Sequence, residues 1–378
     1  MKRTVLTFAA IAALILSGCS KDDYKPGQGV QADTTSTIPV AIQGRVACAY
    51  VTYYGTATID PTYFNSLCYA FAELKIVDGA YKGFVVRNES RFQSIVYLKK
   101  KFPSLKIQIS FTNSIEVDGN SFGGGFSKLA ASDDARKQFA EDCRQFCIKW
   151  GIDGIDMDWE FPGMSWSSGG VYDEMNDVAN YVLLMKQLRE TLGSTYLLTY
   201  AGYVFDKAST SNGGWKYIDI ASVEPYVDYV NIMTYDMDSA PSHQSAWYDP
   251  SCYCDCYHAV QAYLDAGMPA YKLVLGIPFY GRHSFSDSPQ VYEYKDIVKL
   301  STAAGYKIDN WDSSAYVPYV TLNGTYYCGY DNAKSIAAKG HLAIGDKGMK
   351  GMMYWHYDGD NARGTLRKAV WSAVMKKY

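Results

Sequence analysis

The stretch GIDGIDMDWEFPG, residues 151–163, places four acidic side chains within eight positions of an otherwise apolar segment. Side chains alternate between the two faces of a β-strand, so Asp156, Asp158 and Glu160 share one face and the apolar side chains share the other. Burial and mutual repulsion raise the pKa of at least one such carboxyl group, and a carboxyl group that stays protonated near neutral pH can act as a general acid. Asp153 lies on the other face, where we expect structural hydrogen bonds.

The acidic face has a structural alternative, in which the carboxylates form a ladder of ion pairs with lysines or arginines. The strand itself supplies no basic residue, and the next one along the chain is Lys186. Carboxyl groups with perturbed pKa values that lie in a cleft favour a functional site. We therefore interpret this face as part of an active site at the end of a strand.

Outward from this stretch, apolar runs of strand length alternate with amphipathic, helix-like segments. Several runs are apolar almost throughout, as is typical of parallel strands covered on both faces. The eight runs are 45–51, 66–72, 105–111, 151–159, 196–202, 227–235, 272–280 and 351–357. This alternation predicts an α/β fold, a (β/α)8 TIM barrel. A doubly wound open sheet is the alternative, which the lack of a Gly-rich phosphate loop after the first run disfavours.

Four of the helix-like segments are clear enough to be given bounds, at 132–150, 172–193, 331–343 and 362–378. Ser132 is a candidate N-cap, and Gly151 and Gly193 are candidate helix ends. Residues 283–330 are rich in Tyr, Ser and Asp and lengthen the connection after the seventh strand. We expect a small insertion there, between strand 7 and helix 7, with some β-structure, in a barrel that spans residues 44–378.

The first 43 residues differ in character from the rest of the chain. The basic start MKRT precedes an apolar run, Val5 to Leu16, that is too short to span a bilayer. The run ends in LSGC, residues 16–19, which resembles a bacterial lipobox and implies cleavage after residue 18 and acylation of Cys19. An ordinary secretion signal followed by a chance cysteine is the alternative. We expect a signal peptide at 1–19, a flexible tether at 20–43 and a lipid anchor at the bacterial outer membrane, facing the surface.

Composition excludes some classes of function. The net charge of −3 gives no basic patch for nucleic acid. The cluster Cys252, Cys254 and Cys256 lacks the paired C-x-x-C spacing of zinc sites, so we predict no metal there and leave a local disulfide open. The chain carries 34 Tyr, 15 Phe and 8 Trp, which fill a core or stack on flat ligands such as sugars. We expect a monomer.

The acidic strand also carries a resemblance to a known family. DGIDMDWE, residues 153–160, resembles the D-G-x-D-x-D-x-E signature of family 18 glycoside hydrolases, the chitinases. Further matches are YAFA at 69–72, MTYD at 233–236, LGIPFYGR at 275–282 and GMMYWHYDGD at 351–360. The resemblance covers residues 45–378 and implies a retaining, substrate-assisted hydrolysis, in which the acetamido oxygen of the substrate is the nucleophile.

The resemblance implies a role for each matching residue. Glu160 would protonate the glycosidic oxygen, Asp158 would hold the N–H of the N-acetyl group, and Asp156 would share a proton or hydrogen bond with Asp158. Tyr235 would stabilise the cyclised intermediate. The implied substrate contacts are Asp236, Met233, Trp355, Tyr50, Phe71 and Arg282. Core packing for Tyr235, barrel filling for Trp355 and a structural ion pair for Arg282 are the alternatives.

One departure from the family pattern concerns the third strand. The family often carries S-x-G-G and an aromatic residue there, whereas this chain reads SFTN from Ser110 onwards. This puts the leaving-group side of the cleft in doubt, and loops with Trp166 and Trp247 are candidate replacements.

The implied function is endo-acting hydrolysis of β-1,4 bonds next to N-acetylglucosamine, as in chitin and its oligosaccharides, without metal or cofactor. Two alternatives remain open: an endo-β-N-acetylglucosaminidase that cleaves the N-glycan core, and a sugar-binding lipoprotein without catalysis. Chitinase-like lectins usually lose the acid at the position of Glu160, so its presence favours catalysis.

Overall fold

The computed structural model describes residues 44–117, 120–165, 171–204, 217–252 and 254–378. The predicted signal peptide with Cys19, the predicted tether and Trp166 therefore lie outside the described residues. No helix in the described ranges is long and apolar enough to cross a membrane.

The strands of the described residues form two sheets. Their bounds are β1 Val46–Thr52, β2 Ser66–Val77, β3 Ala80–Val86, β4 Lys106–Val117, β5 Asn120–Phe122, β6 Gly154–Asp158, β7 Leu197–Gly202, β8 Tyr229–Ile232, β9 Leu273–Pro278, β10 Tyr280–Arg282, β11 Val291–Glu293, β12 Tyr306–Asp312, β13 Val317–Leu322, β14 Thr325–Gly329 and β15 Gly351–Trp355.

The larger sheet contains ten strands in the order β3-β2-β1-β15-β9-β8-β7-β6-β4-β5, with an additional pairing of β2 with β4. This pairing closes the eight central strands into a ring. The pairs β1–β15, β15–β9, β9–β8, β4–β6 and β6–β7 are parallel. The predicted (β/α)8 barrel is confirmed and the open doubly wound sheet is wrong. Each of the eight predicted runs overlaps one barrel strand.

Helices surround the barrel and lie in the connections between strands. Their bounds are α1 Glu89–Val96, α2 Gly125–Ala130, α3 Asp133–Trp150, α4 Asp177–Leu192, α5 Ile220–Val223, α6 Cys256–Asp265, α7 Tyr294–Leu300, α8 Ala333–Gly340 and α9 Thr365–Met375.

The described residues divide into two compact units, of which one comprises 68–200 and 217–228. Its core holds a cluster of phenylalanines, with the Phe84 ring 4.8 Å from Phe111 and the Phe111 ring 5.0 Å from Phe139. Helix α3 begins as predicted, because the Ser132 hydroxyl accepts a hydrogen bond from the backbone N–H of Ala135. It ends at Gly151, whose φ of +63° suits glycine.

Helix α4 begins five residues later than the sequence predicts. The Asp173 carboxylate accepts hydrogen bonds from the backbone N–H groups of Met175 and Asn176, at 3.1 Å each. These bonds hold residues 173–176 in a turn, which competes with the helix for the same N–H groups. The predicted start at residue 172 is therefore wrong, and the helix begins at Asp177.

The other unit comprises the described residues of 44–67, 201–204 and 229–378. Between β9 and α8 it carries an antiparallel sheet in the order β11-β10-β14-β13-β12. His243 packs against this sheet: its ring nitrogens lie 3.0 Å from the Tyr326 hydroxyl and 3.3 Å from an Asp312 oxygen. The long connection after the seventh barrel strand thus contains β-structure.

Two further expectations concern residues of this unit. Trp247 is 5% exposed, and its backbone is bonded to Ala315 and Tyr257. The part expected of the loop that carries Trp247 stays a prediction. Cys252, Cys254 and Cys256 are buried. Within the described ranges, no three His, Cys, Asp or Glu side chains are grouped as a metal ion requires.

Candidate active site

Three carboxyl groups come together where β6 ends. Asp156 and Asp158 are the third and fifth residues of this strand, and Glu160 follows two residues later. Asp156 is fully buried, Asp158 is 6% exposed and Glu160 is half-buried. The carboxyl ends of barrel strands are where barrel enzymes hold their active sites. The strand therefore presents its acids from the barrel interior outward, as the alternating pattern predicts.

Asp156, the innermost acid, is held by neutral donors from the two neighbouring strands. The Ser110 hydroxyl on β4 donates to its Oδ2 at 2.8 Å, and the Thr199 hydroxyl on β7 donates to its Oδ1 at 2.6 Å. Gln108 donates to Thr199 Oγ1 at 2.8 Å and so orients that hydroxyl. This network fixes the carboxylate beneath Asp158.

Asp158 lies between the other two acids along the chain and is strongly perturbed. Burial, then the negative charges of Glu160 and Asp156, then a hydrogen bond with Glu160, raise its pKa well above the usual value. Its Oδ1 is buried and has no hydrogen-bond partner among the described residues. A protonated Asp158 can therefore bridge Glu160 and Asp156, and its free oxygen remains available to a ligand.

The opposite face of the same strand packs against helices. The Trp159 ring stacks on Phe126 of α2 at 5.4 Å and meets the edge of Tyr181 of α4 at 5.7 Å. Just beyond Glu160, the Phe161 ring meets Tyr217 at 4.8 Å. Because these rings anchor the outer face, the acids are held on the inner one.

Asp153 makes the structural contacts expected of it. Its carboxylate pairs with Lys99, lies 3.1 Å from Lys106 Nζ and accepts the backbone N–H of Ile107 at 2.9 Å. The two lysines are more than forty residues away in sequence, so the sequence did not reveal them. The ion-pair alternative thus describes Asp153, whereas Asp156 is bonded to hydroxyl groups.

In the other unit, two predicted substrate contacts form an aromatic pair. The Tyr50 ring lies 5.7 Å from the ring of Trp355, at the ends of β1 and β15. The Tyr50 hydroxyl accepts a hydrogen bond from Asn231 Nδ2 at 3.1 Å. Tyr50 is 2% exposed, whereas Trp355 is half-buried and keeps part of its ring accessible.

Two further predicted substrate contacts bind each other. Arg282 donates to both oxygens of Asp236, with Nε 2.9 Å from Oδ1 and Nη2 2.7 Å from Oδ2. Arg282 is 5% exposed, so this two-point ion pair is largely shielded from water. Burial and the Asp236 charge raise the pKa of the adjacent Tyr280 well above its usual value. The structural ion pair considered for Arg282 is therefore present, and its partner is Asp236.

The remaining predicted site residues are Tyr235, Met233 and Phe71. The Tyr235 ring is 6.2 Å from that of Tyr280, and both side chains are buried. Met233 is 7% exposed, and its backbone N–H donates to Gly202 O at 2.7 Å. Phe71 is half-buried within β2. The roles of these residues in substrate binding stay predictions.

Comparisons with known proteins give consistent matches. Residues 45–360 match the family model described as glycosyl hydrolases family 18. The chain is 31% identical to chitinase A1 of Niallia circulans over 72% of its own length but only 43% of the relative's. It is 26% identical to a class V chitinase of Lotus japonicus, over 80% of this chain and 79% of the relative. The chain thus spans less than half the length of chitinase A1.

Two solved structures resemble the fold. Chitinase ChiW of a Paenibacillus species superposes with a TM-score of 0.74 and 27% identity, over 89% of this chain and 33% of that one. A class V chitinase of tobacco superposes with a TM-score of 0.73 and 22% identity, over 88% of this chain and the whole of that one. The second likeness shows the fold alone.

Proposed function

We propose that this chain, which belongs to family 18 of the glycosyl hydrolases, hydrolyses β-1,4 glycosidic bonds next to N-acetylglucosamine by substrate-assisted catalysis. The observation that carries the proposal is the buried group of Asp156, Asp158 and Glu160 at the end of β6. No cation among the described residues pairs with Asp158. Its raised pKa keeps it protonated, which reduces the repulsion between the three carboxyl groups.

The reaction has two steps in this arrangement. Glu160 donates a proton to the glycosidic oxygen while the acetamido oxygen of the substrate attacks the anomeric carbon, which breaks the glycosidic bond. Asp158 accepts a hydrogen bond from the acetamido N–H and so favours the cyclised intermediate. Glu160, now a carboxylate, then removes a proton from the water that opens this intermediate. Two displacements at one carbon retain its configuration.

Asp158 can act in this mechanism because its protonation depends on the charges of Glu160 and Asp156. With its pKa raised, the side chain holds a proton that it can share with Asp156 or Glu160. Asp158 is hydrogen-bonded to Glu160 in this structure, so its unbonded oxygen can accept the acetamido N–H, while Asp156, fixed by Ser110 and Thr199, can take the shared proton. The bond to the acetamido N–H stabilises positive charge that develops on that group only as the ring closes.

Chitin oligosaccharides are the substrate class that we propose, because the relatives with matching sequence are chitinases. The test is a product assay that compares N-acetylglucosamine oligomers with high-mannose and complex N-glycans. Cleavage of the oligomers, inhibited competitively by thiazoline mimics of the cyclised intermediate, is the expected result. Cleavage of the glycans alone would indicate an endo-β-N-acetylglucosaminidase, and binding without any product would indicate a lectin. Activity that thiazolines leave unchanged would reject the acetamido mechanism.

We also propose that the chain is anchored by lipid on Cys19 at the bacterial outer membrane. The support is the apolar run that ends in LSGC, followed by a polar tether. Growth with a clickable fatty acid should label the wild type but not Cys19→Ser, and protease should remove the barrel from intact cells. Equal labelling of both proteins would contradict the anchor.

A further inference from the structure

We propose that Asp177, the first residue of α4, is a positioning residue that sets the orientation of Glu160, an inference that rests on the proposed hydrolase function. Asp177 is 1% exposed and lies outside the acidic strand. The sequence pattern offered one signal for it, since Asp177 shares a helix face with the buried Tyr181, Leu184 and Leu188. A carboxylate on an apolar stripe needs an explanation.

The Asp177 carboxylate joins three separate segments. Its Oδ2 accepts the backbone N–H of Gly163 at 3.2 Å and that of Asp173 at 2.8 Å. Its Oδ1 accepts the Ser127 hydroxyl of α2 at 2.8 Å. Gly163 lies three residues after Glu160, so one of these bonds holds the segment that leaves the catalytic acid.

All three donors are neutral, and no Lys, Arg or His among the described residues pairs with Asp177. A buried carboxylate without a cation is expensive. The dipole of α4 stabilises a negative charge at its first residue, but it would also do so if this carboxylate were exposed to water. The dipole therefore does not account for the burial or for the bonds to α2 and to Gly163.

The turn that follows Glu160 shows what the carboxylate holds. Gly163 has a φ of +72°, and the backbone N–H of Met164 donates to Phe161 O at 3.3 Å, so residues 161–164 reverse direction. The Phe161 ring fixes one side of this turn against Tyr217. Asp177 fixes the other side through the Gly163 amide. Without it the turn can move, and a displacement of a catalytic group by about 1 Å can cost ~10²-fold in rate.

The experiment compares two aryl glycosides of N,N′-diacetylchitobiose that differ in the leaving group. A 4-methylumbelliferyl group needs a proton from the general acid, whereas a 2,4-dinitrophenyl group leaves readily as the anion. Asp177→Asn keeps the shape but removes the charge, and its NH2 group can accept neither the Ser127 hydroxyl nor the backbone N–H groups, so at least one of the present bonds is lost. We expect kcat/KM, which reports the first step alone, to fall by ~10–10²-fold on the first substrate and by less than about threefold on the second.

Matched variants separate positioning from folding. Asp142 is a buried aspartate of α3, 2% exposed, that also accepts neutral donors: Tyr81 Oη at 3.0 Å and Gln138 Nε2 at 2.8 Å. Asp142→Asn should leave both rates near wild type. Ser127→Ala removes one bond to Asp177 and keeps the charge, and it should give a smaller loss with the same dependence on the leaving group. This variant carries the test if Asp177→Asn does not fold.

The outcomes are distinct. Equal losses on both substrates, or wild-type rates on both for Asp177→Asn and Ser127→Ala, would overturn the positioning role while the hydrolase function stands. A wild type that cleaves neither glycoside would reject the proposed function, and the positioning role with it.

Discussion

Glu160→Gln is expected to lower kcat for N-acetylglucosamine oligosaccharides by about 10³-fold, the contribution of a well-placed general acid and base. The amide keeps the size of the side chain and can still take part in a hydrogen bond with Asp158, but its N–H protons are not acidic enough to be transferred to the glycosidic oxygen. Affinity for the oligosaccharide, measured by calorimetry on the variant, should stay close to the wild-type KM. Binding with lost turnover separates a catalytic role from a contact that only holds substrate.

The control for this variant is Glu174→Gln in the same loop. Glu174 is exposed, so the substitution removes one negative charge without touching the buried acids. Its kcat should remain within about twofold of wild type, because surface substitutions have small effects. If Glu160→Gln kept more than a tenth of the activity, or if it lost sugar binding together with turnover, the assignment of Glu160 as the acid would be contradicted.

The barrel was predictable because parallel strands buried on both faces leave continuous apolar runs in the sequence. The bounds were less predictable: the run at 227–235 yields the short strand Tyr229–Ile232, and the run at 105–111 continues to Val117. These limits depend on which neighbouring backbone offers a partner. They are decided by tertiary contacts, which the local pattern does not contain.

The site shows the same division. The parity of the acidic strand was enough to place Asp156, Asp158 and Glu160 on one face. It did not reveal that Thr199 holds Asp156, that Asp236 pairs with Arg282, or that Asp177 ties the turn after Glu160 to α2. These partners are 43, 46 and 14 residues apart, and only the folded chain brings them together. Hydroxyl and amide donors are also uncharged, so the sequence shows no pattern of opposite charges that would indicate these contacts.

Asp158→Asn is expected to change activity and stability in opposite directions. The rate should fall by about 10²-fold, because the substrate's acetamido N–H faces a neutral amide in place of a carboxylate and the shared proton is gone. The free energy of unfolding at pH 7 should rise by about 1 kcal/mol, since a functional group that is costly to bury has been replaced by a neutral one of the same shape. Both changes follow from the raised pKa of Asp158.

The pH dependence of this gain has a definite sign. In the wild type the folded-state pKa of Asp158 lies above its unfolded value. At a pH between these two pKa values, the folded protein keeps a proton that the unfolded chain has released. The stability that this proton provides is fully present below the unfolded pKa and is lost as pH rises toward the folded one. The stability difference between Asp158→Asn and wild type should therefore shrink as pH falls from 7 to 4, in guanidinium unfolding curves recorded at each pH.

Asp153→Asn provides the matched control, because it makes the same chemical change at the residue just before β6, five positions before Asp158. Its carboxylate is paired with Lys99 and Lys106, so its loss should lower the free energy of unfolding by about 2 kcal/mol and leave kcat unchanged. The comparison thus distinguishes a carboxylate that stabilises the fold, Asp153, from a carboxyl group that destabilises the fold and serves catalysis, Asp158. If Asp158→Asn were destabilised like Asp153→Asn, or if its stability gain grew toward low pH, Asp158 would be a structural acid and the proton shared within the acidic group would have to lie elsewhere.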